Sequence, residues 1–125
     1  MDLEARTEEL FRRAEATDWD GFLAMFTPDA VIKHNYDEGA PAAASVALLK
    51  AVAAAGVTLR YENVRRIVAD GVVVEQHDVR GVRTSDGTEA VTDVCCVLHF
   101  DRDGLVTRLD EYLDPRAFRT LFAPL

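Results

Sequence analysis

The chain has 125 residues, of which 49% are hydrophobic and 29% charged, an ordinary composition for a globular protein with a buried core. Its net charge of −8 and its pI near 4.8 argue against nucleic acid or an anionic membrane as a partner, because both attract basic surfaces. The sequence contains no apolar run of the roughly 18 residues that a transmembrane helix needs, and its first residues are acidic, unlike a signal peptide. We therefore expect one domain over residues 1–125 and a cytoplasmic location.

The two cysteines of the chain, Cys95 and Cys96, are adjacent. Neighbouring side chains of a strand point to opposite faces, so these two thiols cannot form a disulfide with each other there. They also lack the ligand spacing of a zinc site. We expect reduced cysteines, no metal and no other cofactor.

The first half of the chain predicts three helices and one short strand. Apolar side chains recur at helical spacing in the first two helices, and the third is rich in alanine. Pro28 is expected to end the second helix and Gly56 the third. The predicted ranges are 3–16, 19–26 and 42–55 for the helices and 30–36 for the strand.

The second half predicts a four-stranded antiparallel meander. Asp-Gly occurs three times between apolar runs at near-equal spacing, and both residues tolerate the positive φ that a type I′ hairpin turn requires. The turns are Asp70-Gly71, Asp86-Gly87 and Asp103-Gly104. The strands between them cover residues 57–68, 72–83, 89–100 and 105–113.

After the last strand, Asp114-Pro115 is a natural start for a final helical turn that carries Phe118, Leu121 and Phe122. Helices followed by a meander predict an α+β fold. A curved sheet that wraps over helices encloses a pocket, and we expect the function to lie there.

This order of elements resembles the nuclear transport factor 2-like fold. The fold is shared by ketosteroid isomerase, scytalone dehydratase, limonene epoxide hydrolase and the SnoaL-like polyketide cyclases. The stretches that carry the resemblance are residues 19–32, residues 34–38 (His-Asn-Tyr-Asp-Glu) and residues 100–114. The resemblance implies a cone in which N-terminal helices pack in the concave face of a curved, mainly antiparallel sheet. It also implies an apolar pocket with a few ionisable groups.

His34 is the first candidate for proton transfer. Alternate residues of a strand share a face, and Lys33 favours solvent, so His34 and Tyr36 are expected to point inward. A histidine has a near-neutral pKa that suits acid–base chemistry. The alternative is a histidine that only binds a backbone carbonyl at the end of the strand.

Glu111 is the second candidate, because it shares a strand face with Leu109 and Leu113. Burial on that apolar face would raise the pKa of its carboxyl group towards neutrality. The limonene epoxide hydrolases resemble this strand, with an acid just before an aromatic residue. The resemblance implies that Glu111 is the general base; the alternative is an exposed carboxylate at the rim.

The predicted strand over residues 72–83 leaves two possibilities open. Gln76 and Asp78 occupy the positions where the epoxide hydrolases carry an Arg-x-Asp pair that binds the oxirane oxygen and steadies the base. Gln76 replaces the arginine here, so the cationic member of that pair is missing. The opposite face presents His77. A histidine is easier to bury than Asp78 beside Arg80, which favours His77 as the inward residue.

Together with these residues, the resemblance implies a cofactor-free enzyme of SnoaL-like type. It would move a proton on a small apolar, oxygenated ligand related to polyketides, steroids or terpenoids, in a cyclisation, isomerisation, dehydration or hydration. His34 and Glu111 are the predicted acid and base, and His77 or Asp78 would polarise an oxygen. The alternative is a non-catalytic module that binds a ligand or dimerises. The predicted ligand-binding residues are Trp19, Phe22, Phe26, Asn35, Tyr36, Val52, Gln76 and Leu109.

The outer face of the last strand predicts a homodimer surface. It carries Arg108, Asp110 and Tyr112, whose mix of charge and aromatic area suits a contact with a second copy of the chain.

Overall fold

Two helices precede the sheet in the computed structural model of the protein, which describes residues 1–122. Helix α1 (Leu3–Glu15) begins at Asp2, whose carboxylate accepts a hydrogen bond from the Ala5 N–H at 2.9 Å. Helix α2 (Trp19–Leu23) is capped in the same way by Asp18. These caps are the Asx type that the sequence favours at a helix start.

Strand β1 (Phe26–His34) begins earlier than predicted, and the expectation that Pro28 ends a helix is wrong. Pro28 lies inside the strand. The pairing of β1 with the last strand shifts register between Phe26 and Val31, so the missing N–H of the proline falls in an irregular segment and breaks no regular ladder. A two-residue strand, β2 (Ala40–Pro41), was not predicted.

Helix α3 (Ala42–Ala54) and four long strands follow, and the predicted meander is confirmed. The strands are β3 (Val57–Ala69), β4 (Val72–Arg83), β5 (Glu89–Phe100) and β6 (Val106–Tyr112). Consecutive members pair antiparallel, and β6 then pairs parallel with β1. The sheet order is β2-β1-β6-β5-β4-β3, an open mixed sheet of six strands.

The three Asp-Gly turns are not of type I′. Only the glycines have positive φ, at 70°, 76° and 75°, whereas type I′ also requires it of the preceding residue. In the second and third turns an acidic side chain instead binds the turn backbone: Asp86 accepts a hydrogen bond from the Thr88 N–H at 3.0 Å, and Asp101, two residues before Asp103, has this role in the third turn. Asp101 accepts hydrogen bonds from the N–H groups of Asp103 and Leu105, each at 2.9 Å. The two contacts of Asp101 thus satisfy backbone N–H groups of the turn through a side chain.

The last described residues form a 3₁₀ turn (Pro115–Phe118) and helix α4 (Arg119–Phe122), which pack on the concave face of the sheet. Gly81 on β4 makes this possible. A Cβ atom at Gly81 would lie 2.6 Å from Cδ1 of Leu121, so only a glycine leaves room for this segment.

The core lies between the concave face of the sheet and the helices. Leu10 and Phe11 of α1 belong to this core together with Leu98 of β5 and Leu109 of β6. Within residues 1–122, no helix has both the length and the apolar character needed to cross a membrane.

Candidate active site

A cavity of about 170 Å³ opens between the concave face of the sheet and the helices. Its walls are mostly hydrocarbon, with contributions from Phe22, Ile32, Val52, Leu113, Phe118 and Leu121. Its polar side chains are those of His34, Tyr36, Ser45, Tyr61 and Glu111. A small apolar ligand with a polar group at one place would match this lining.

His34 ends β1 and is fixed by Asp37 three residues later. The Asp37 carboxylate accepts the His34 N–H at 3.0 Å through one oxygen and lies 2.8 Å from Nδ1 of the ring through the other. The backbone and side-chain hydrogen bonds from His34 hold the pKa of Asp37 below its usual range. An ionised Asp37 on Nδ1 leaves Nε2 of His34 as the nitrogen that faces Glu111.

His34 and Glu111 meet because β1 and β6 pair in parallel with these two residues in register. Nε2 of His34 lies 3.6 Å from Oε2 of Glu111, and the two side chains are 15% and 23% exposed. Burial raises the pKa of Glu111, while the positive charges of His34 and His77 oppose that rise. A carboxyl group and an imidazole thus face one another at the wall of an apolar cavity.

Asn35 and Tyr36 complete this end of the cavity in different ways. The Asn35 side chain accepts the Leu113 N–H at 3.0 Å, and its own N–H donates to the Glu111 carbonyl at 3.0 Å, so Asn35 joins β1 to β6 and does not line the cavity. The Tyr36 ring stacks on His34 with centroids 5.1 Å apart. Half of Tyr36 is exposed, so it lies at the rim rather than deep inside.

The structure distinguishes the two faces of β4. His77 is 3% exposed, and its ring packs against those of Phe11 and Tyr61 on the concave side, although it does not line the cavity itself. The side chains of Gln76 and Asp78 point to the opposite, convex face, where they border a groove of about 690 Å³. Asp78 accepts a hydrogen bond from Asn63 there at 2.8 Å. Gln76 and Asp78 are therefore not near His34 and Glu111, and the prediction that they act in the pocket is wrong.

The concave side of β4 carries a buried chain of polar residues that was not predicted from the sequence. Glu75 is fully buried, and its two carboxylate oxygens bind Nε of Arg66 at 2.6 Å and Nδ1 of His77 at 2.5 Å. In register, Glu75 lies beside Cys96, which lies beside Glu111, so one row of the concave face carries both acids. Alternation with His77 was the signal that placed Glu75 on the same face.

The predicted apolar ligand-binding residues divide into two groups. Phe22 and Val52 line the cavity. Phe26 and Leu109 are 5% and 1% exposed and belong to the core, and Trp19 borders a neighbouring hollow next to α1 and α3. Tyr61, which was not predicted to take part in the site, lies on β3 and lines the cavity.

Cys95 and Cys96 are free, with Cys96 buried on the concave side and Cys95 on the convex side, as the strand alternation predicted. No group of three His, Cys, Asp or Glu residues in the described part of the chain is arranged to hold a metal ion.

Most of the chain matches a known protein family. The model of the SnoaL-like domain matches residues 7–109. The protein belongs to the SnoaL-like domain family. Glu111 lies just beyond the matched residues, so a role for it is argued from its position in the structure. No curated protein sequence matches the chain.

Solved structures of the SnoaL-like and nuclear transport factor 2-like group superpose on nearly the whole chain. A provisionally assigned polyketide cyclase from Xanthomonas campestris has a TM-score of 0.81 at 19% identity, covering 97% of this chain and 96% of its own. A limonene-epoxide-hydrolase-like epoxide hydrolase from Mycobacterium tuberculosis has a TM-score of 0.75 at 17% identity, covering 94% of this chain and 86% of its own. At such identities the likeness shows the fold, which is the cone that the sequence predicted.

Proposed function

We propose that this SnoaL-like protein is an enzyme that moves a proton on a small apolar, oxygenated molecule, in a cyclisation, isomerisation, dehydration or hydration, without a cofactor. One observation carries the proposal: His34 and Glu111 face each other at 3.6 Å on the wall of an apolar cavity. Acid–base catalysis requires two such groups within reach of one ligand.

In the reactive form, Glu111 is a carboxylate and His34 an imidazolium. Glu111 removes a proton from the substrate, and Nε2 of His34 delivers one to a second position or to a departing hydroxyl group. The step ends with a neutral carboxylic acid and a neutral imidazole. Because the two groups are neighbours, the proton passes from Glu111 back to His34 and restores the starting form.

The surroundings favour this use of the pair. Asp37 on Nδ1 fixes the His34 ring so that Nε2 faces Glu111, and the apolar walls lower the polarity around the carboxylate. The similar structures include a provisionally assigned polyketide cyclase and an epoxide hydrolase/cyclase-like enzyme with a role in pyran ring formation; these descriptions apply to those proteins. We favour cyclisation or isomerisation over epoxide hydrolysis, because Gln76 and Asp78 are outside the cavity.

The test is isomerisation of a β,γ-unsaturated cyclohexenone to its conjugated isomer, followed by ultraviolet absorbance. We expect conversion by the wild-type protein and a loss of at least about 100-fold with Glu111→Gln, the usual range for one acid–base group. Asp110→Asn, on the opposite face of the same strand, is the matched control and should retain activity. Full activity of Glu111→Gln, or binding of the enone without conversion by the wild type, would contradict the proposal.

A further inference from the structure

A second hollow, of about 180 Å³, lies against the apolar cavity and shares Val57 and Leu59 with it as walls. Its other sides are built from the end of α1, the end of α3 and Trp19, the first residue of α2. The acid–base step proposed above gives these groups no role. Pockets for drug-sized ligands have about 300–1,000 Å³, so this hollow suits a ligand of only a few non-hydrogen atoms.

Glu15 is the single charged side chain among the described residues that line the hollow. Its Oε1 accepts the backbone N–H of Tyr61 at 2.6 Å, and its Oε2 has no hydrogen-bond partner within residues 1–122. The other glutamates of α1 all lie within 4.0 Å of an arginine. The pairs are Glu4 and Glu8 with Arg66, and Glu9 with Arg12 and Arg13. Glu15 has no such pair in the described part of the chain, so its negative charge is uncompensated there.

The C-terminal ends of two helices add negative potential to the hollow. Ala14 of α1 and Ala53 of α3 line it, each from the last turn of a 13-residue helix. A helix C-terminus carries about half a negative charge, which favours a cation nearby. The last turn of α3 has no basic residue. In α1, Arg12 and Arg13 bond to Glu9 and do not line the hollow.

Trp19 supplies an aromatic ring to the same hollow. A cation gains from the face of an indole ring, and tryptophan is the best of the aromatic residues for this contact. A metal ion would find a single carboxylate here, too few oxygen ligands for calcium or magnesium. An ammonium ion that carries methyl or methylene groups fits better, because it combines positive charge with hydrocarbon that can contact the ring.

We propose that this hollow binds a small organic ammonium ion between the Glu15 carboxylate and the Trp19 ring. The net charge of −8 attracts cations to the molecule as a whole, and the hollow is the place where a carboxylate, two helix ends and an indole ring coincide. The property that the hollow recognises is the positive charge of the nitrogen. The site is separate from His34 and Glu111 and does not depend on the reaction proposed for them.

Two probes of the same shape test the proposal. Choline and 3,3-dimethylbutan-1-ol differ in one atom, a charged nitrogen in place of a neutral carbon. Trp19 is the single tryptophan of the chain, so its fluorescence reports on the hollow. At low ionic strength we expect the wild type to bind choline about five- to tenfold more tightly than the alcohol.

Glu15→Gln should bind the two probes equally. Its amide oxygen can still accept the Tyr61 N–H, so the variant removes the charge and keeps the hydrogen bond to β3. Glu8→Gln is the matched control, because it removes the same charge two turns earlier on the same helix, and it should keep the preference for choline.

NMR of ¹⁵N-labelled protein locates the ligand, since choline should shift the one indole N–H resonance and leave the backbone resonances of His34 and Glu111 in place. Equal binding of the two probes by the wild type, or no binding of choline, would overturn the proposal. So would a Glu15→Gln protein that keeps the preference, or an equal loss of preference in Glu8→Gln, which would indicate a general effect of net charge. Shifts confined to His34 and Glu111 would place choline in the apolar cavity and would also overturn it.

Discussion

At Glu111, burial and neighbouring charge act in opposite directions on one carboxyl group. Burial raises its pKa above the ordinary value of 4.5, and the charges of His34 and His77 pull it down. The net rise means that the folded protein favours the protonated form more than the unfolded chain does. The carboxyl group therefore contributes stability that is complete below about pH 4.5 and is lost as the pH rises through the folded-state pKa.

This linkage predicts a pH-dependent difference between the wild type and Glu111→Gln, whose side chain is neutral at every pH. The free energy of unfolding of the wild type, relative to that of the variant, should be highest below pH 4.5 and decline as the pH rises. Urea denaturation at a series of pH values measures it. Parallel pH profiles of the two proteins would contradict a raised pKa.

Glu75 predicts a large effect on stability, because it is the shared partner of Arg66 and His77. Glu75→Gln removes the negative charge that compensates a nearly buried guanidinium, and breaking such a pair costs about 3–5 kcal/mol. Urea denaturation measures the loss. Glu62→Gln, which breaks a half-exposed pair with Arg80, is the control and should change stability far less. Equal losses of stability in the two variants would contradict the importance of burial for the ion pair between Glu75 and Arg66.

The inward orientation of a side chain was predictable where it follows from alternation along one strand. It was not predictable where it depends on how several strands pair. Lys33 and the apolar neighbours of Glu111 were enough to point His34 and Glu111 inward. Tyr61 and Arg66 lie on a strand whose pattern is disturbed by a bulge between Glu62 and Arg65. Their place in the site depends on sheet curvature and register, which no single stretch of sequence encodes.

At the level of elements, the meander was predictable because Asp-Gly turns and alternating apolar residues agree with one another. The start of β1 was not, since Phe26 continues the apolar spacing of α2 and Pro28 is common after a helix. Pairing with β6 makes this segment a strand, and β6 lies far away in the sequence. The type of the turns was also missed, because aspartate can bind the turn backbone with its side chain instead of adopting positive φ.

Packing of the C-terminal segment on Gly81 predicts a coupling between two positions. Gly81→Ala forces Leu121 to move, and overpacking of this kind costs about 1–3 kcal/mol. Leu121→Ala should therefore be less destabilising in the Gly81→Ala background than in the wild type, a coupling that a double-mutant cycle measured by urea denaturation detects. Strictly additive losses would show that the two residues do not compete for the same space.

At the level of the whole molecule, we propose a homodimer that forms through the convex face of the sheet. Tyr112 is 53% exposed and Val91 43% exposed on strands of that sheet, and Arg108 and Asp110 add charged groups of both signs. Light scattering should give a mass of twice 13.8 kDa, and Tyr112→Glu should lower it towards the monomer value by placing a charge in the contact. A monomeric wild type would contradict the proposed surface.

The parallel contact between β1 and β6 has a consequence for how the protein acquires its chemistry. Of the two groups proposed to transfer protons, one lies on the first long strand and the other on the last, so a ribosome must deliver almost the entire polypeptide before the two can meet. Such distant pairing is slow to form, because a long loop must close first. Any onset of proton-transfer activity during refolding would therefore mark completion of the sheet, and partly folded intermediates should be inert.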